Sequence, residues 1–383
     1  MAGSRVAFFT ETFLPRVDGI VNTLTWSLRG LVERGWQPLV VAPSGNTQTL
    51  PGVRVIGTPS IAFPPYPEVR LGYPTADVCR AIDMFQPDVV HLAGPVTNGF
   101  GGLKYARARH LPVVSTYHTS LPEYARVYGL GWMEEWAWGM LRSVHNATAV
   151  TLCPSRKTIA DLDARGFEHL ALWARGADAS LFSPELRTAA MRARLGACEG
   201  DVLVLYAGRL AREKKLDRLA AALGRLPGVH VALVGDGPDR SRLEQVFGGL
   251  PVTFTGMLHG QELAGAYASS DVFAFPSDTD TFGNVVLEAM ACGLPVVACR
   301  VGGQVDLVVD GANGVLFEPE DIDAFVDGLK RYRDDAQMRG AHGREGLRLA
   351  SERTWPRQVD LLIEHYEAAM DEAAQQIPGV VAA

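Results

Sequence analysis

Short apolar runs recur along the chain, each closed by a turn, with amphipathic stretches between them. Residues 5–9 (RVAFF) read as a buried strand, followed by a loop over 10–19 and a helix over 20–34 that stops at Gly35. Apolar runs at 38–42, 53–56, 89–92, 113–117 and 149–153 follow, with helical stretches such as 75–85 and 102–110 between them. Runs that are apolar throughout, and separated by helices, predict a parallel sheet covered on both faces. The pattern then restarts. Strands are expected at 202–206, 229–234, 252–255, 272–275, 295–298 and 314–317, with helices at 216–226 and 239–247. This predicts a second doubly wound α/β half rather than a short repeat. Residues 173–184 (WARGADASLFSP) carry Gly176 and Pro184 without a period and read as the linker. A last helical stretch covers 356–374. The expected organisation is two Rossmann-like domains, 1–173 and 174–355, facing across a cleft, with 356–383 as a terminal helical segment. Ligands bind at the carboxyl ends of such sheets.

Composition changes little in this picture but excludes some functions. The 383 residues are 47% hydrophobic and 21% charged, enough for two ordinary cores. A net charge of -7 lacks the basic excess of a nucleic-acid binder. The five cysteines are odd in number and form no CxxC pair, which fits a reduced compartment better than a disulfide framework. The start MAGSRVAFF has no leader pattern and no run of 18 apolar residues occurs, so a cytoplasmic protein is expected, peripheral at most to the inner membrane face.

The strongest chemical signal is residues 275–288, FPSDTDTFGNVVLE. A buried strand gives way to a polar loop and then to a helix expected over 282–291. The backbone N–H groups at Phe282, Gly283 and Asn284 would face an anion such as a diphosphate, and Gly283 lets it approach closely. Asp280 lies in the loop and Glu288 two turns inside the helix. A helix-start acid and a surface acid would read the same way. The apolar neighbours of Glu288, Leu287 and Ala289, favour a working carboxylate. Residues 206–215 (YAGRLAREKK) put Arg209 and Lys214 in a strand-end turn, a cationic cradle or a solvated basic loop. Residues 11–22 (ETFLPRVDGIVN) lack GxGxxG, which disfavours a dinucleotide-dependent dehydrogenase, but Gly19 could admit a phosphate or sugar. His118, in STYHTSLPEY, follows a strand where an imidazole can hold a sugar hydroxyl or move a proton. VGDGP at 234–238 is first a tight turn, and TGMLH at 255–259, ending in His259, could meet a nucleobase. Asp278-Thr279-Asp280 is the one Asp-x-Asp at a strand end, and with Arg209 and Lys214 nearby no metal or other cofactor is expected.

Taken in order, these segments resemble the family 4 retaining glycosyltransferases of GT-B fold, over nearly the whole chain. The resemblance rests on PRVDGIVNTL, PDVVHLAGP, TYHTSLPEY, RGADASLFSP, GRLAREK, VGDGP and FPSDTDTFGNVVLEAMACGLPVVA. It implies an N-terminal acceptor domain, a C-terminal nucleotide-sugar donor domain, and a last helix crossing back to the N-terminal domain. It implies Arg209 and Lys214 on the donor diphosphate, Gly19 near that phosphate, and His118 on the transferred sugar. Of the paired acids, Asp280 would face the sugar and Glu288 the ribose. Two departures stand out: Asp280 replaces the usual Glu, one methylene shorter, and Asp18 replaces the first of two glycines. The Asp-Gly opening and YHTSLPEY look closest to GDP-mannose-dependent mannosyltransferases and diacylglycerol glucosyl- or sulfoquinovosyltransferases. The implied partners are a nucleotide-diphosphate sugar and a hydroxyl acceptor, lipid-linked acceptors included. Residues 128–140 (YGLGWMEEWAWGM) offer either an interfacial face or, the reading favoured by the thin basic charge nearby, core packing. A nucleotide-sugar epimerase on the same fold and a non-catalytic binding protein remain as rival readings.

Overall fold

The computed structural model describes residues 3–375 apart from 17, 46, 64–65, 119–130 and 281. It divides into two units, Met1–Ala174 with Trp355–Ala383, and Arg175–Thr354. The first unit is built on strands β1 (Arg5–Phe9), β2 (Gln37–Pro43), β3 (Arg54–Thr58), β6 (Val89–Leu92), β7 (Val113–Thr116), β8 (Val150–Cys153) and β9 (Leu170–Leu172). An antiparallel pair, β4 (Ser60–Phe63) and β5 (Tyr66–Gly72), stands apart from that sheet. The main sheet runs β3-β2-β1-β6-β7-β8-β9 and is parallel throughout. Its faces explain the unbroken apolar runs. Val6, Phe8, Val40 and Val89 pack on one side, and Ala7, Phe9, Val41 and Val90 on the other.

The pattern misplaced one helix of this unit. The stretch expected from residue 102 begins at Thr97 and runs to Arg107. Its glycines argue against a helix by propensity, yet they are what lets the helix lie close. A Cβ on Gly102 would stand 2.5 Å from the Phe9 ring, and one on Gly101 2.4 Å from Pro74. The β4–β5 pair was not foreseen.

The last helix, Trp355–Gln375, belongs to the first unit. Val359, Leu362, Tyr366 and Ala369 recur every three or four residues and are buried with Leu24, Leu28 and Leu31 of the helix Gly19–Glu33. Gly30 makes the crossing possible, since a Cβ there would meet Val359 at 2.5 Å. Tyr366 Oη bonds His91 Nδ1 at mid-sheet, and His91 Nε2 bonds Thr116 Oγ1 of β7. The tryptophans of 128–140 divide. Trp138 is buried against Phe167, whereas Trp132 and Trp136 are 81% and 63% exposed. Packing therefore accounts for only one of the three. No helix among the described residues is long and apolar enough to cross a membrane.

The second unit has strands β10 (Val202–Ala207), β11 (Val229–Val234), β12 (Val252–Gly256), β13 (Val272–Phe275), β14 (Val296–Cys299) and β15 (Gly314–Phe317). They form a parallel sheet in the order β12-β11-β10-β13-β14-β15. The order reverses between β10 and β13, and a doubly wound sheet opens a ligand crevice at that reversal. Cys292 and Cys299 are buried in this unit as core thiols.

Candidate functional site

The two strands at this reversal carry the two strongest sequence signals, 206–215 after β10 and 275–288 after β13. Glycines let the turns meet. Gly235 (φ +134°) lies so close to Gly208 that a Cβ would stand 2.0 Å from its carbonyl oxygen. A Cβ on Gly237 would be 2.3 Å from Leu210 O, and Leu210 N–H donates to Asp236 O at 3.0 Å. The VGDGP turn thus buttresses the cationic turn. Gly302 (φ +63°) does the same for the acidic loop, where a Cβ would be 1.9 Å from Asp280 O.

Lys214 and Asp280 meet directly. The Lys214 ammonium donates to both carboxylate oxygens of Asp280, at 2.7 and 2.8 Å, with only 13% and 21% of the two side chains exposed. Lys214 ends the short 3-10 turn Arg212–Lys214, and Lys215 closes that turn in the left-handed region. Asp278, the other acid of the Asp-x-Asp, is engaged separately. Arg218 donates to it at 3.2 Å while also bonding Pro276 O and Pro319 O. Each acid of the pair therefore faces its own cation. Among the described residues no group of three or more His, Cys, Asp or Glu could hold a metal.

The helix expected over 282–291 spans Asn284–Ala291, with Gly283 as its N-cap at φ +85°. The left-handed cap shortens it by two residues relative to the sequence pattern, a conformation glycine adopts freely. Phe282 is buried. Two turns on, Glu288 Oε2 accepts a hydrogen bond from Tyr267 Oη at 3.0 Å. Burial pushes the Glu288 carboxyl up to about 7, the Tyr267 hydroxyl pulls it down, and the Asp178 charge adds to the rise. Arg209 opens the cationic turn two residues past β10, its carbonyl accepting from Tyr206 Oη at 2.9 Å. His259 is an exposed N-cap of the helix Gly260–Ala268 and makes no side-chain capping bond.

Gly19 and His118 belong to the first unit. Gly19 is the exposed first residue of its helix, and Asp18 explains why a glycine was not needed before it. The Asp18 carboxylate caps the helix by accepting from Ile20 N–H at 3.0 Å and Val21 N–H at 2.9 Å, and it pairs with Arg16. His118 lies two residues beyond β7 and is partly buried. The rest of its motif, from residue 119, lies outside the described residues.

Three residues escaped the sequence reading. Tyr267 is hidden in an ordinary amphipathic helix, and Arg218 follows a basic cluster that masked it. Glu11 stood inside a quoted motif without drawing notice. Its position two residues past a buried strand was the available signal.

Glu288 yields a pH prediction. The resemblance implies that Glu288 holds a ribose; such a diol donates best to an ionised carboxylate, and the ionised fraction of a group titrating near 7 rises about tenfold from pH 6 to 8. Nucleoside diphosphate affinity is expected to tighten by up to about that factor over the range, and to level off above it. The unliganded protein should move the opposite way. Its raised carboxyl favours the folded state below about 4.5, and that contribution is lost as pH rises through about 7. Calorimetric titrations of wild type and Glu288→Gln check this, the variant being expected to show no such slope.

The comparisons with known proteins agree along the whole chain. Residues 17–181 match the model described as Glycosyltransferase Family 4, and residues 201–335 match Glycosyl transferases group 1. A GDP-mannose-dependent alpha-mannosyltransferase of Mycobacterium tuberculosis (strain CDC 1551 / Oshkosh) is 39% identical, with 98% of this chain and 100% of that one covered. The sulfoquinovosyl transferase SQD2 of Arabidopsis thaliana is 37% identical over 96% of this chain and 74% of its own. In fold, the chain is similar to a sucrose-phosphate synthase from Thermosynechococcus elongatus (TM-score 0.81, 22% identity, 96% and 100% covered). It is also similar to Anabaena HepE in complex with UDP (TM-score 0.75, 19% identity, 96% and 100% covered). With that identity carried end to end and both domain models matched in order, the chain belongs to glycosyltransferase family 4 and is a hexosyltransferase of GT-B fold.

Proposed function

We propose that the chain transfers mannose from GDP-mannose to an acceptor hydroxyl with retention at the anomeric carbon. The observation that carries this reading is the Lys214–Asp280 pair at the strand reversal, Asp280 standing three residues before the Gly283 helix cap. The end-to-end relation to GDP-mannose-dependent enzymes supports the choice of donor. In the proposed reaction the bond from C1 to the diphosphate oxygen breaks with oxocarbenium character. Arg209, Lys214 and the N–H groups around residues 282–284 stabilise the charge that gathers on the diphosphate, without a metal. The departing phosphate oxygen takes the acceptor proton, and the acceptor oxygen bonds C1 on the same face. Asp280 and His118 hold hexose hydroxyls, Glu288 the ribose, and Gly19 and His259 the phosphate and base ends of the donor.

The acceptor is proposed to be lipid-linked. Exposed indoles at Trp132, just before the helix Glu134–His145, and at Trp136, in its first turn, suit a membrane interface. The relation to SQD2 favours a second reading, a UDP-sugar donor with a diacylglycerol acceptor. Thermal melts with GDP-mannose, UDP-glucose and UDP-sulfoquinovose separate the two, because a ligand bound to the folded state alone raises the melting point. The main reading expects a shift with GDP-mannose well above the other two. A larger shift with either UDP-sugar would replace it.

A further inference from the structure

The first unit has a strand reversal of its own, between β1 and β6, and a side chain already fills it. Glu11 follows β1 by two residues. Its Oε1 accepts from the backbone N–H groups of Asn98 (2.7 Å) and Gly99 (3.2 Å), and its Oε2 accepts from Thr97 Oγ1 (3.2 Å). These donors form the first turn of the eleven-residue helix Thr97–Arg107 that follows β6. A helix start at the reversal of a doubly wound sheet is where such folds seat a ligand phosphate.

The surroundings are cut to this carboxylate. A Cβ on Gly94 would stand 3.1 Å from Glu11 Cγ, and one on Gly99 only 1.8 Å from Gly94 O. Burial pushes the Glu11 carboxyl up to about 7 against the pull of the Gly99 and Asn98 N–H groups, so it is ionised above that pH, where these donors stand in for water. The loop running on from Glu11 is tied down at both ends. Asn98 Nδ2 donates to Thr10 O at 3.0 Å, and Thr12 Oγ1 donates to Asp18 Oδ2 at 3.3 Å, where Asp18 caps the helix Gly19–Glu33.

We infer that the Glu11 carboxylate is a built-in anion that occupies the strand-reversal site of the first unit, closing it to phosphate ligands, and is the positioning residue that fixes the loop leading to Gly19. The two sheets then divide their labour by one side chain. The second unit places the Lys214–Asp280 pair at its reversal, and the first fills its own with Glu11.

Chemical rescue tests this. Glu11→Ala should lower kcat/KM by about tenfold or more, the scale of losing hydrogen bonds to a charged acceptor. Formate should raise the melting point of Glu11→Ala but not of wild type, and it should restore part of its activity. Glu11→Gln, whose amide still fills the space, should lose activity while formate neither stabilises nor rescues it. The activity arm rests on the hexosyl-transfer reading, whereas the melting arm needs no substrate, so the two can fail separately. Formate leaving the melting point of Glu11→Ala unmoved overturns the inference. If Glu11→Ala does not fold, Glu11→Gln decides, and wild-type kinetics in that variant overturn it equally.

Discussion

Replacing Lys214 with alanine is expected to lower kcat/KM for hexosyl transfer by about 100- to 1,000-fold, the effect of removing one preorganised donor from a developing anion. Two consequences of the structure push the loss toward the upper end. The ammonium is largely withdrawn from solvent, so its field on the diphosphate of the proposed reaction would be weakly screened. Its removal also leaves the Asp280 carboxylate without the cation that now engages both its oxygens, and a bare carboxylate would then stand where the diphosphate charge gathers. Arg209→Ala should show a loss of similar order, since the proposed mechanism asks the same work of it. Lys214→Arg should not restore the wild-type rate. A guanidinium is planar and longer, and the turn Arg212–Lys214 delivers a compact ammonium to Asp280. Steady-state rates with saturating acceptor, alongside melting curves to confirm folding, check the series. A Lys214→Ala enzyme within threefold of wild type would remove the diphosphate role.

Much of this site was legible in the sequence because it sits on strand ends. A buried parallel strand is a continuous apolar run, so its carboxyl end is marked by the first polar, glycine or proline residue, as at Gly208 and Pro276. Both doubly wound sheets followed from the same signal. Side-chain pairing across the sheet was not legible. Nothing local says that Lys214 seeks Asp280, 66 residues away, or that Arg218 takes Asp278. Glycine misled in one place for a physical reason. In Thr97–Arg107 it serves close packing on Phe9 and Pro74, which propensity counts as helix breaking. It helped in another, since Gly235, Gly237 and Gly302 each permit backbone contact where the turns of the second unit converge. Trp132 and Trp138 stand six residues apart yet differ from 81% to 7% exposure, because only the latter turns toward Phe167.

The departure at position 280 carries the other large effect. Asp280→Asn removes a charge but keeps the shape, and it should separate binding from chemistry. In the unliganded protein Asp280 competes with the donor for Lys214, because the ammonium bonds both of its oxygens. Without that counter-ion phosphate meets less competition for the ammonium, so nucleoside diphosphate is expected to bind at least as tightly as to wild type, by up to several-fold. Turnover should fall by about 100-fold, because the hexose loses a fixed carboxylate and small misplacements at the reacting carbon have effects of that size. Asp280→Glu restores the charge with one more methylene. It is expected to recover turnover in part and to shift the preference among hexoses, since the acid then reaches further along the ring. Calorimetric titration with GDP and single-turnover rates with GDP-mannose measure the two halves independently. Parallel losses in nucleotide affinity and turnover for Asp280→Asn would mean that Asp280 serves mainly to hold Lys214 in place, and that the hexose is recognised elsewhere.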